Sequence, residues 1–145
     1  MSSPGVQSSA YLRHAIRRVF ETCHHAQNDP TASILRYTTS GGDPFKSVAP
    51  AAVLVAGLAA LRVVVDRPGF FEGRSRAPTG IQIEEGDREF WFLDIPATTG
   101  VPANRVQATD RILFQSEEWY PLEGSVENDD VIACSVAICR LTKRA

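Results

Sequence analysis

The sequence predicts a mainly β protein, a small β-barrel or sandwich with one N-terminal amphipathic α-helix and long loops. Three observations carry this. Residues 10–25 show the clearest apolar spacing, at three- and four-residue steps, whereas the remainder falls into roughly six short runs of β-forming residues. Gly, Pro, Asn and Asp separate those runs. At 145 residues the chain has the size of one domain with one core. The expected organisation is a flexible arm over residues 1–9 followed by a single β-rich domain over residues 10–145.

In the helix, Leu12, Ala15, Ile16, Val19, Phe20 and Cys23 share one face. Ser9 is the expected N-cap, and Asn28-Asp29-Pro30 the stop. Arg13, Arg17 and Arg18 stand on the opposite face with His14 and make it basic, either as a solvated surface or as a binding face. Residues 33–39 read as a strand ending in the loop Ser40-Gly41-Gly42-Asp43-Pro44. Residues 48–66 are ambiguous: six alanines suit a buried helix, while Pro50, Gly57 and Arg62-Val63-Val64-Val65 favour a loop and strand, which is the reading adopted.

Residues 70–79 mix Phe70 and Phe71 with Gly73, Arg74, Arg76 and Pro78 without a period, as a long loop does. Ile81 and Ile83 alternate with polar residues before Glu85-Gly86-Asp87, so a hairpin into Glu89-Phe90-Trp91-Phe92-Leu93 is expected. Residues 95–104 form a second irregular connection. A further hairpin joins Arg111-Ile112-Leu113-Phe114 to Trp119-Tyr120-Pro121-Leu122 through a polar turn, and Glu127-Asn128-Asp129-Asp130 turns the chain into a last strand over residues 131–141.

A hydrophobic fraction of 43% with 22% charged residues is ordinary for a globular domain. The net charge of -2 provides no general attraction for a phosphate backbone. The first residues, Met1-Ser2-Ser3-Pro4-Gly5, lack a basic stretch before an apolar one, which predicts an intracellular protein. Residues 49–61 are apolar but too short to span a bilayer, which needs ~20 residues. Three cysteines leave one unpaired in any disulfide scheme; Cys134 and Cys139 are an odd number of places apart and should face opposite sides of a strand, so all three read as buried or half-buried thiols.

No nucleophile elbow, phosphate-binding loop, dinucleotide fingerprint or zinc spacing occurs in the sequence. Cys23-His24-His25 are adjacent on a helix and diverge by about 100° each, so they do not converge on an ion; His24 and His25 instead suit the negative end of the helix dipole. Asp87, Asp110, Asp129 and Asp130 lie in turn-like sequence, where Asp bonds its local backbone. No catalytic role, metal or cofactor is expected. The aromatic residues Phe90, Trp91, Trp119 and Tyr120 suggest a second reading, a barrel that stacks a ligand or single-stranded nucleic acid, against which no Lys or Arg is interleaved with Phe90-Trp91-Phe92.

Taken in order, the N-terminal helix, Gly-rich turn, long loop, Gly86-Asp87-Arg88-Glu89-Phe90, then Asp110-Arg111-Ile112-Leu113-Phe114 and Trp119-Tyr120 form a pattern that resembles the head-tail connector proteins of tailed bacteriophages. These are the small neck subunits called head-closure, stopper or head-tail joining proteins. The sequence departs from that pattern in having no Gly in Gln115-Ser116-Glu117-Glu118, and in the Ala-rich segment 50–61. The resemblance implies that residues 110–120 close a β-hairpin. It implies a structural subunit of the virion neck, assembled in the host cytoplasm as a ring of 6 or 12 copies. Its implied partners are a portal or adaptor protein on the head side and a tail-completion, terminator or tail-tube protein on the tail side. DNA would pass through the channel without sequence-specific binding, and no membrane is involved. The candidate partner-interface residues are Arg13, Arg17 and Arg18 on the helix and Phe70, Phe71, Arg74 and Arg76 in the long loop.

Overall fold

A computed structural model describes residues 4–40, 45, 51–68, 82–98 and 100–144. The chain runs α1 (Pro4–Ala26), β1 (Thr31–Ser40), β2 (Ala51–Asp66), β3 (Arg88–Leu93), β4 (Arg111–Phe114), β5 (Glu117–Pro121), β6 (Glu127–Asp129) and β7 (Cys134–Arg144). All pairings between these strands are antiparallel. Going round the sheet, β1 pairs β2, β2 pairs β3, β3 pairs β7, β7 pairs β5, β5 pairs β4, and β4 returns to β1. The result is a closed barrel of six strands, with β6 added beside the start of β7. Closure removes the sheet edges that would otherwise template pairing with another chain. The predicted barrel with one N-terminal helix is therefore the observed fold.

Ile34, Val63, Phe90, Phe92, Ile112, Trp119, Ala137 and Cys139 fill the barrel. The alternate residues Val64, Trp91, Leu93, Cys134 and Val136 point outwards, where Ile16, Phe20 and Cys23 of α1 cover them. Strand β3 is thus buried on both faces, which explains its unbroken apolar run. Cys134 and Cys139 do face opposite sides, one under the helix and one inside the barrel. None of the three cysteines forms a disulfide, and burial pushes the thiols of Cys23 and Cys139 above the ordinary range.

The helix extends further than the apolar spacing alone shows. It begins at Pro4, so residues 4–9, read as part of an arm, are helical, and Ser9 is not the N-cap. Proline suits a first helical turn because the N–H it lacks has no partner there. The predicted stop is correct: Asn28 and Asp29 adopt positive φ, and Asp29 N–H donates to the His24 carbonyl at 2.9 Å. Residues 48–66 contain the strand expected at residues 62–65, but it starts at Ala51, so residues 51–61, read as part of a loop, belong to β2 as well. An extra residue at Ala59–Ala60, with Ala60 at φ 57°, bends β2 against β1, a bulge of the kind that turns a sheet into a barrel.

Two expectations about turns need correction. Among the described residues, 82–84 are not a strand and β3 pairs with β2 and β7, while Ile81 of the expected hairpin lies outside the described residues. Glu127–Asp129 is not a turn but β6; the turn follows it at 130–133, where the Asp129 carboxylate accepts the N–H groups of Val131 and Ile132. The last strand accordingly starts at Cys134. The loops expected at 41–44 and 70–79 lie outside the described residues.

Candidate functional site

Of the candidate interface residues, Arg17 is committed to the fold. Its guanidinium donates to both carboxylate oxygens of Asp94, at 3.1 and 2.8 Å, and to the Ile132 carbonyl at 3.1 Å. Asp94 also meets Arg62, which binds Glu21 of the helix and lies over the Phe20 ring. This chain of charges fastens α1 to the barrel. The hydrogen bond from Arg17 holds the Asp94 carboxyl below the usual carboxylate range, more strongly than its partial burial raises it. Arg13 and Arg18 are exposed and remain available to a partner. Phe70, Phe71, Arg74 and Arg76 lie outside the described residues.

The outward side of α1 is more apolar than an ordinary solvated face. Tyr11, Leu12 and Val19 are exposed, and Ala15, Arg18, Val19, Thr22 and Cys23 line a shallow hollow. Spacing alone places Leu12 and Val19 on the buried face, because a stripe wider than about 100° cannot be divided into its inner and outer parts without the fold. The structure separates them: Ile16, Phe20 and Cys23 pack inwards, while Leu12 and Val19 are half exposed.

The helix end distributes Cys23, His24 and His25 in different directions. Cys23 joins the cluster under the helix; His24 is buried, stacks on Phe20 and donates its Nε2–H to the Pro30 carbonyl at 2.7 Å; His25 is exposed. His24 therefore packs the helix terminus as well as meeting its dipole. Among the described residues, no group of three His, Cys, Asp or Glu side chains is placed to hold a metal ion.

The Asp-Arg pairs that carry the resemblance have a clear physical role, and it is the same twice. Asp87 accepts the Glu84 N–H at 2.8 Å, and Asp110 accepts the Gln107 N–H at 2.9 Å, closing equivalent turns. Each carboxylate is then gripped by a guanidinium from the neighbouring strand. Arg140 of β7 reaches Asp87 at 3.0 and 3.1 Å, and Arg36 of β1 reaches Asp110 at 3.1 and 3.0 Å. Each of these arginines also donates to a carbonyl five residues before its Asp: Arg140 to Gln82 and Arg36 to Arg105. The following arginines, Arg88 and Arg111, each donate back to the Asp carbonyl at 2.9 Å. One local unit therefore starts both β3 and β4.

The two units differ in setting. Arg36 and Asp110 are fully buried, and Arg36 Nη1 also donates to Thr98 Oγ1, so the pair ties the connection 95–104 to the barrel. That connection was expected to be irregular, and it is, but it is ordered from within: Ile95 and Val106 enter the core and Asn104 N–H donates to the Ile95 carbonyl. Asp87 is buried while Arg140 is partly exposed. Burial raises the Asp87 carboxyl, but the Arg140 hydrogen bond and the Glu84 N–H together bring it below the ordinary value.

The aromatic residues of the second reading are mostly core. Phe90, Trp91 and Trp119 are buried, and of that set only Tyr120 is partly accessible, with the Arg111 guanidinium over its ring. No protein-family model and no curated protein matches the chain.

Proposed function

We propose that this protein is a structural subunit of a tailed-phage neck, forming a ring between portal and tail that joins head to tail and surrounds the DNA channel. The observation that carries the reading is the behaviour of the segment on which the resemblance rests. Asp110 anchors its turn, Arg111–Phe114 and Glu117–Pro121 pair as a hairpin, and that hairpin belongs to a closed barrel. This is the form the resemblance implies for a connector subunit. A rigid barrel with an apolar, basic helix face suits a protein that acts through contacts with neighbours.

The test is loss and complementation in the phage that encodes the chain. Loss should leave filled heads and finished tails that fail to join, seen by electron microscopy, and the wild-type chain should restore joined particles. Normal joining without the protein would refute the reading. So would a single exposed polar substitution, such as His25→Ala, that abolishes function while the ring still forms.

A further inference from the structure

We infer that copies of this chain join by strand pairing, the open edge of β2 in one copy taking β1 of the next as its antiparallel neighbour. This deepens the neck reading and rests on it for closure into a ring. The barrel is closed only where its strands run alongside one another. Strand β1 meets β4 over residues 33–35, and β2 meets β3 over residues 63–66. Beyond those limits residues 36–40 and 51–56 pair with each other, and among the described residues neither stretch has a second strand beside it. The two strands thus continue past the barrel as a ribbon with two open edges. Arg36 fixes the root of this ribbon, being buried and donating to Asp110, Thr98 and the Arg105 carbonyl.

A two-stranded ribbon is marginally stable in water by itself, and its unpaired N–H and C=O groups are a template for another strand. Proteins guard such edges with charge or proline, and residues 37–40 and 51–61 contain neither. An extra residue at Val55 bends the ribbon near its root. Past that bend the pairing is uninterrupted: Tyr37 with Leu54, Thr38 with Val53, Thr39 with Ala52 and Ser40 with Ala51. This register identifies the occupant. Residues 37–40 are the strand that 51–54 already accepts on one edge, so the same stretch of a second copy matches the other edge. Copies related by rotation about an axis along the ribbon keep their strand directions, so β2 of one lies antiparallel to β1 of the next, as within the ribbon itself. A contact between two different edges is heterologous, and it generates a ring when the rotation between copies closes.

The test uses the full chain in native mass spectrometry and sedimentation, with Ala52→Lys/Gly57→Lys to guard the β2 edge and Thr39→Lys to guard the β1 edge. A Cβ at Gly57 meets only Leu35 Cδ2, at 3.8 Å, so that site has room for the new side chain. The wild type should form oligomers larger than a dimer, and each variant should be monomeric with a melting temperature close to wild type. An equimolar mixture of the two variants should give a heterodimer and nothing larger, since one junction keeps both native edges. Hydrogen exchange of the wild type needs no variant: amides of residues 37–40 and 51–54 should gain about tenfold protection or more as rising concentration carries the chain from monomer to oligomer. The inference is overturned by a wild type that stays monomeric to ~1 mM, the range in which a contact is too weak to count as a stable junction. It is also overturned by ribbon exchange that does not slow on assembly, by variants that assemble normally, or by a mixture that remains monomeric. A dimer that survives Thr39→Lys but not Ala52→Lys/Gly57→Lys would overturn it too, because that marks two β2 edges paired with each other. Particle morphology separates the two readings: unjoined heads and tails in the null phage with normally assembling variants would remove this joint alone. Wild-type assembly through the ribbon with normally joined null particles would remove the neck reading alone.

Discussion

At the scale of single residues, the fold depends on two arginine–aspartate grips whose arginines stand alone in otherwise β-forming sequence. Breaking a buried pair leaves an uncompensated charge, which costs about 3–5 kcal/mol, more than the pair itself contributes. Asp110→Asn should therefore lower the melting temperature by about 10 °C at this chain length. Arg36→Lys should not rescue the site, because an ammonium cannot supply the fork that Nε and Nη2 present to Asp110 while Nη1 holds Thr98. Thermal unfolding of both variants checks this. A second expectation concerns acid. Asp87 and Asp94 have native pKa values below their unfolded ones, so the stability they contribute is complete above about pH 4 and is lost as pH falls through the native values. Stability of the Asp87→Asn/Asp94→Asn variant should be lower at neutral pH and should change less below pH 4 than that of the wild type, as denaturant titrations across pH would show. The aspartates were legible as turn formers from their local sequence. Their partners were not, since Arg36 and Arg140 are 74 and 53 residues away and nothing local distinguishes a buried arginine in a strand from an exposed one.

At the scale of elements, the sequence was most informative where a period was long and uniform. The helix and the β4–β5 hairpin follow from spacing and turn residues, whereas β2 was legible only at residues 62–65 because its alanines suit a helix equally well; the helix start was missed because residues 4–9 carry no apolar stripe to continue it. Strand β3 had a readable signal, four consecutive apolar residues, which means burial on both faces and not membership of a two-stranded hairpin. Phe20 is the centre of the helix contact, fully buried and edge-on to Trp91 at 5.0 Å. Phe20→Ala should cost about 3–5 kcal/mol, whereas Leu12→Ala, at a half-exposed site, should stay within about 0.5 kcal/mol. Equal losses in chemical denaturation would contradict the division of the stripe. In the hairpin, Gln115 and Ser116 both adopt positive φ, at 50° and 63°, the backbone of a two-residue turn that favours Asn-Gly. Changing Gln115-Ser116 to Asn-Gly should stabilise the domain by about 1 kcal/mol, and a destabilised variant would refute the turn geometry.

For the whole molecule, barrel closure was foreseeable as a class but not as a pairing scheme. Which strands meet depends on β7, whose first half pairs with β3 and whose second half pairs with β5, a division that no local pattern encodes. The candidate interface residues of the helix show the same limit: Arg13, Arg17 and Arg18 look alike in sequence, and only the fold shows that Arg17 is occupied by Asp94 and Ile132 while the other two face solvent. The proposed role is that of a closed barrel with a fastened helix serving as a ring subunit between a phage head and its tail. Electron microscopy of particles made without the protein tests that claim most directly. The account predicts DNA-filled heads and complete tails lying apart, rejoined when the wild-type chain is supplied; joined, infectious particles in its absence would contradict it.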